Sequence, residues 1–189
     1  KAVNYLEPTL VVDLSGEEII SVDPGSSHGL AVGKGGDCFV WGDGDAGQLG
    51  LGDFEHHHII AVNNSFPPVA KVNCGSNHSM VLTKTGAVYA WGHSQNGRLG
   101  IGASERLGAA EHQRYFFPIP THLSTLEVVT EISCGADHTL AIGLAGVWAW
   151  GNGSGGRLGL GDNQDRFDPC LVPKIKGKSV LHVAAGAWH

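Results

Sequence analysis

Positive charge is thinly spread in this sequence. Twelve lysines and arginines stand singly among eighteen aspartates and glutamates, for a formal charge of −6. No basic stripe follows a phosphate backbone, so direct binding of nucleic acid or of an anionic membrane surface is not expected. An acidic face remains, and it suits a basic protein partner. Apolar runs are short, and none approaches the roughly 18 residues of a membrane-spanning helix. Cysteine is sparse too. Cys38, Cys74, Cys134 and Cys170 lie tens of residues apart with no CxxC pair, which argues for free, buried thiols over a disulfide framework or a structural zinc site. Also missing is any capped amphipathic stretch of about ten or more residues with a 3.6-residue period, so the chain is expected to be all-β. With 42% hydrophobic and 16% charged residues it is still a globular sequence, not a disordered one.

What is present in abundance is glycine, 29 residues of it, and it recurs in a pattern. The stretch KVNCGSNHSMVLTKTGAVYAWGHSQNGRLGIG, from Lys71 to Gly102, has an earlier copy, SVDPGSSHGLAVGKGGDCFVWGDGDAGQLGLG, from Ser21 to Gly52. A later copy, EISCGADHTLAIGLAGVWAWGNGSGGRLGLG, runs from Glu131 to Gly161. A fourth starts at His182 as HVAAGAWH, and Pro8 to Gly25 aligns without a gap on Pro169 to Gly186. The expected division is therefore a partial repeat over 1–17, full repeats over 18–70, 71–130 and 131–181, and a partial one over 182–189. Such a chain enters and leaves in mid-repeat, and more of the same propeller is expected from a longer chain. The matching histidines His28, His78, His138 and His189 are separated by 50, 60 and 51 residues, periods that suit propeller blades better than helical solenoids.

Within each copy the short apolar and aromatic runs, such as Met80 to Thr83 and Val88 to Trp91, read as strands bounded by glycine turns. Trp41, Trp91 and Trp150 are expected to fill the seams between neighbouring blades. Gly25, Gly75 and Gly135, with Gly47, Gly97 and Gly156, are expected where φ is positive or where two chains approach closely. The motif these residues compose resembles the repeat of the regulator of chromosome condensation family. The resemblance covers nearly the whole chain. It implies a seven-bladed β-propeller whose blades are four-stranded antiparallel sheets.

Residues that look chemical are mostly the repeated ones. GDGDAG (42–47) and GNGSGG (151–156) satisfy the GxGxxG pattern, but each runs into another turn instead of a helix, so no nucleotide cofactor is expected. A histidine repeated in every copy reads as a buried side chain hydrogen-bonded to neighbouring backbone, not as a catalyst. His56, His57 and His58 read as a solvated loop without the ligand set of a metal site. The sequons at Asn63, Asn77 and Asn152 read as unmodified.

Candidate binding residues therefore lie where the copies differ. The connection after Gly102 is longer than its counterparts, and Arg106, Glu111, Arg114 and Tyr115 within it are the leading candidates for partner binding, followed by His56, His57 and His58. Tyr115, Phe116 and Phe117 also read as the start of an outer strand. No catalytic, metal or cofactor residues are assigned. The resemblance implies an intracellular protein, cytoplasmic or nuclear, in which this propeller is a protein-interaction module of a larger signalling, trafficking or ubiquitin-ligase protein. The alternatives are guanine-nucleotide exchange on a small GTPase related to Ran, and a structural subunit of a large assembly.

Overall fold

The computed structural model describes residue 7 and residues 10–102 and 114–189. Twelve strands are formed among these residues: β1 Ile19–Pro24, β2 His28–Gly33, β3 Cys38–Gly42, β4 His57–Asn63, β5 Val69–Cys74, β6 His78–Thr83, β7 Val88–His93, β8 Phe116–His122, β9 Val129–Cys134, β10 His138–Gly143, β11 Gly146–Gly151 and β12 Arg166–Leu171. They pair in sequence order as three antiparallel sheets, β1 to β4, β5 to β8 and β9 to β12. The expected all-β architecture of four-stranded antiparallel blades is what the chain forms. The helical pieces among the described residues are three-residue 3-10 turns.

The middle strands are the most apolar because they are covered on both sides. β2 and β6 are buried at all six positions, as a strand sandwiched between neighbours must be. Period-two alternation sends their side chains into two different seams. From β6, Val81 joins Leu30, Val32, Val40 and Leu49 in a core between the first and second sheets. Met80 and Leu82, one residue out of phase, join Ile132, Ala141 and Trp150 between the second and third.

The outer strands follow a different rule. In each sheet the register jumps at the third strand's tryptophan, between Val40 and Gly42, Ala90 and Gly92, and Ala149 and Gly151. Opposite each tryptophan the outer strand carries extra residues, a bulge that frees its backbone from strict pairing. Pro118, Pro120 and Pro169 are accommodated in these irregular edge segments, where a missing N–H costs little.

His57 and His58 do not lie in a loop. The pairing of His57 with Gly42 makes His57 the first residue of β4 and puts His58 beside it. Successive residues on a strand point to opposite faces, so His57 and His58 do not converge, and His56, before the strand, is held by Asp43. The outer strand of the second sheet begins at Phe116, with Tyr115 in the turn before it.

Candidate protein-interaction face

The repeated residues are consumed in building the seams. Trp91 and Trp150 are fully buried. Trp91 Nε1 donates to the Gln48 carbonyl of the preceding sheet at 2.8 Å, and Trp150 Nε1 donates to the Arg98 carbonyl at 3.2 Å. Each indole thus fills a seam and donates to a carbonyl of the preceding sheet that also accepts from a hydroxyl, Ser79 in the first seam and Thr139 in the second. Trp41 is placed identically in the first sheet, but on the face turned away from the second, and is only half-buried beside Leu10, Val11 and His58.

The glycines of the CG motif are needed for close approach, not for positive φ. A Cβ at Gly75 would collide with the His78 ring of its own sheet and lie 2.8 Å from the Gly135 carbonyl of the next. Gly97, by contrast, has φ +79° and packs against Arg166 and Phe167.

The histidines depart from expectation in their partners. His28 Nε2 lies 2.9 Å from the Ser79 hydroxyl of the second sheet, and that hydroxyl donates its proton to the Gln48 carbonyl at 2.7 Å. The serine proton is therefore committed, and His28 must donate from Nε2. Its partner is a side chain of the neighbouring sheet, not backbone. His78 is fully buried, and neither ring nitrogen has a hydrogen-bond partner. Burial drives the His28 pKa down to about 4, against the opposing pull of Asp43 and Asp23. Burial, and secondarily the Arg98 charge, pushes His78 well below the ordinary value. These are neutral packing groups at physiological pH.

With the scaffold accounted for, the face carrying the β3–β4, β7–β8 and β11–β12 connections is where variation gathers. Strand directions put all three connections at one end of the sheets, together with the turns before His28, His78 and His138. The described arginines, Arg98, Arg114, Arg157 and Arg166, all belong to this end, as do Asp43, Asp45, Asp53, Glu55, Asp137, Asp162 and Asp165. Lys34 and Lys84 belong to hairpin turns at the opposite end, where Lys84 donates to the Lys34 carbonyl at 2.8 Å. This segregation of arginine from lysine is visible in the sequence once the strand ends are known, and reasoning from total charge alone missed it.

His56 stands on the loop face with Nδ1 2.6 Å from Asp43. Ser94 N–H donates to the Tyr115 carbonyl at 2.7 Å, and Phe54 from the first sheet's loop meets Phe116 at 6.4 Å between ring centroids. The structure therefore brings the His56 loop and the Tyr115 turn together as neighbours. Arg106 and Glu111 lie outside the described residues. His57 is half-buried and His58 exposed on β4. Asn63 is buried, its amide donating to the Leu49 and Gly50 carbonyls, a geometry that leaves no room for a glycan on that nitrogen.

The described residues hold no group of three or more histidine, cysteine or acidic side chains arranged for a metal, and no helix long and apolar enough to cross a membrane.

Comparison with known proteins agrees with this geometry. The family model for the regulator of chromosome condensation (RCC1) repeat matches residues 35–82, 85–142 and 145–189, and a second RCC1 model matches 69–98. The first of these matches spans β3 and β4 of one sheet and β5 and β6 of the next, so a repeat in sequence bridges a seam in space. The chain is 34% identical over 188 residues to the E3 ubiquitin-protein ligase HERC2 of Homo sapiens, covering 99% of this chain and 4% of that protein. It is 32% identical over 185 residues to the ultraviolet-B receptor UVR8 of Arabidopsis thaliana, covering 91% of this chain and 38% of the receptor. Among solved structures it resembles human WBSCR16 with a TM-score of 0.73 and 25% identity, over 92% of this chain and 44% of that one. The chain thus spans less than half the length of these relatives. It belongs to the regulator of chromosome condensation repeat family, and its three sheets are blades of a β-propeller.

Proposed function

We propose that this chain is a protein-interaction module, a stretch of propeller that serves a larger signalling, trafficking or ubiquitin-ligase protein by holding a basic partner on its loop face. The observation that carries the reading is the division of labour among residues. Tryptophan, histidine and glycine of the repeat are spent on the seams, while the described arginines stand together with Asp43, Asp45 and Glu55 on the loop end of the blades. The likeness to HERC2, named as an E3 ubiquitin-protein ligase, supports the ligase setting. Arg114, Tyr115 and His56 belong to this face, and within the proposal Arg106 and Glu111 act with them.

The test compares two charge-neutralised forms of the full-length protein in partner capture. One carries Asp43→Asn, Asp45→Asn, Asp53→Asn and Glu55→Gln; the other carries Lys34→Gln and Lys84→Gln. The first is expected to lose captured partners at least tenfold and the second to keep them. Equal recovery from both would sink the assignment to the loop face. A nucleotide-release assay with a Ran-type GTPase is expected to show only the intrinsic rate, and strong acceleration would replace this reading with exchange.

A further inference from the structure

The two seams between the three sheets are built from the same repeat but filled differently at the loop face. Between the second and third sheets, Arg98 reaches across to Asp137 at 2.7 Å, with its side chain only 6% exposed. Beside that pair, Asn96 Nδ2 donates to Asp165 at 2.9 Å. This seam is closed by a guanidinium and an amide. Between the first and second sheets, the equivalent positions are Gln48, Asn77, Ala46 and Phe116. Gln48 turns back so that its Oε1 accepts the Ala46 N–H at 2.8 Å, and its buried Nε2 has no partner. Gln48 and Asn77 form no bridge, and among the described residues a cavity of about 250 Å³ opens between Asp45, Ala46, Asn77, His93 and Phe116.

The walls of that cavity are suited to a cation. Asp43 is occupied by His56 and Ser27. Asp45 is exposed at the mouth, and no described ion pair engages its carboxylate. The rings of His93 and Phe116 stand 4.9 Å apart. Burial, and secondarily Arg98, lowers the His93 pKa to about 4, so His93 brings no repelling charge. Aromatic rings with a carboxylate beside them favour the planar guanidinium over the compact ammonium.

We propose that this cavity is a slot for a single arginine side chain of the basic partner, which would occupy the first seam as Arg98 occupies the second. The inference rests on the interaction-module reading and adds to it the residue type that is read. The probe is the peptide acetyl-Gly-Gly-Arg-Gly-Gly-amide, titrated into the isotopically labelled protein and followed by amide NMR shifts. Shifts are expected at Asp45, Ala46, Asn77 and His93. Affinity is expected to fall at least tenfold for the same peptide with citrulline, and at least tenfold in Asp45→Asn, an exposed change that spares the fold. The double variant Gln48→Arg/Asn77→Asp installs the second seam's pair in the first and is expected to abolish the shifts. Equal response to citrulline, shifts scattered over Asp53, Glu55 and Asp162, or binding that survives the double variant would each overturn the slot. Loss of partner capture in the four-carboxylate variant, with no peptide shifts at Asp45, would remove the slot and leave the interaction face standing.

Discussion

The seam between the first and second sheets and the seam between the second and third share a tryptophan, a close-packed glycine, a buried histidine and the leucine within the QLG or RLG turn, yet differ at their polar edge. In the second, Arg98 and Asp137 form a nearly buried ion pair. In the first, Gln48 and Asn77 form no bond to one another. The difference teaches which positions of the repeat are structural and which are free to change. The seam tryptophans are kept because each fills its seam and donates to a carbonyl of the preceding sheet, while the aliphatic positions exchange one apolar side chain for another, as Val72 and Ile132 do. The loop-facing edge tolerates neutral or charged filling because it borders water.

The largest break in this comparison is at the tryptophans. Trp91→Ala and Trp150→Ala each remove a fully buried side chain and its hydrogen bond, and urea unfolding should show a loss of about 3–5 kcal/mol for either. A loss below about 1 kcal/mol at either would mean that the seams do not set the stability of the blades.

Acidification acts on the same interior. Because the folded His28 pKa is depressed to about 4 from its ordinary 6.5, the unfolded chain takes up the proton first as pH falls. The stability from a neutral His28 is complete above pH 6.5 and is lost progressively down to about 4, with a limiting slope of about 1.4 kcal/mol per pH unit for one such group. His78, lowered for the same reason, adds to the slope. Denaturation measured at pH 7.5 and pH 5 should show the drop, and a His78→Gln variant should show a shallower one. Identical slopes would exclude His78 from the titration.

Much of this organisation was legible in the sequence. The strands, their glycine turns and the seam tryptophans follow from a repeat read against strand periodicity, since burial on both sides demands unbroken apolar runs. The histidine partners were not legible. A buried ring needs some hydrogen-bond partner, but whether backbone or Ser79 supplies it depends on how far the next sheet stands away. His57 and His58 looked like loop because they follow a turn-rich LGLGD string. The pairing of His57 with Gly42 makes them strand, a tertiary fact that no local propensity encodes. The cavity of the first seam was equally hidden, although the two substitutions that create it, Gln48 for Arg98 and Asn77 for Asp137, stand in plain view in the aligned repeats.

A smaller effect separates seam from rim by thiol chemistry. Burial raises the Cys38 pKa to about 12 and the Cys74 pKa well above normal, so both should resist a disulfide reagent at pH 8 until the protein unfolds. Cys170, half-buried on β12, should react first in the native protein. Early labelling of Cys38 or Cys74 would mean that the first seam opens readily.

The most direct measurement is a pair of double-mutant cycles in urea, one through Arg98→Met and Asp137→Asn, the other through Gln48→Met and Asn77→Ala. If the two seams share a scaffold and differ only in their edge filling, the Arg98–Asp137 cycle will give a coupling of about 1–3 kcal/mol and the Gln48–Asn77 cycle less than about 0.5 kcal/mol. Equal couplings in the two cycles would contradict the account.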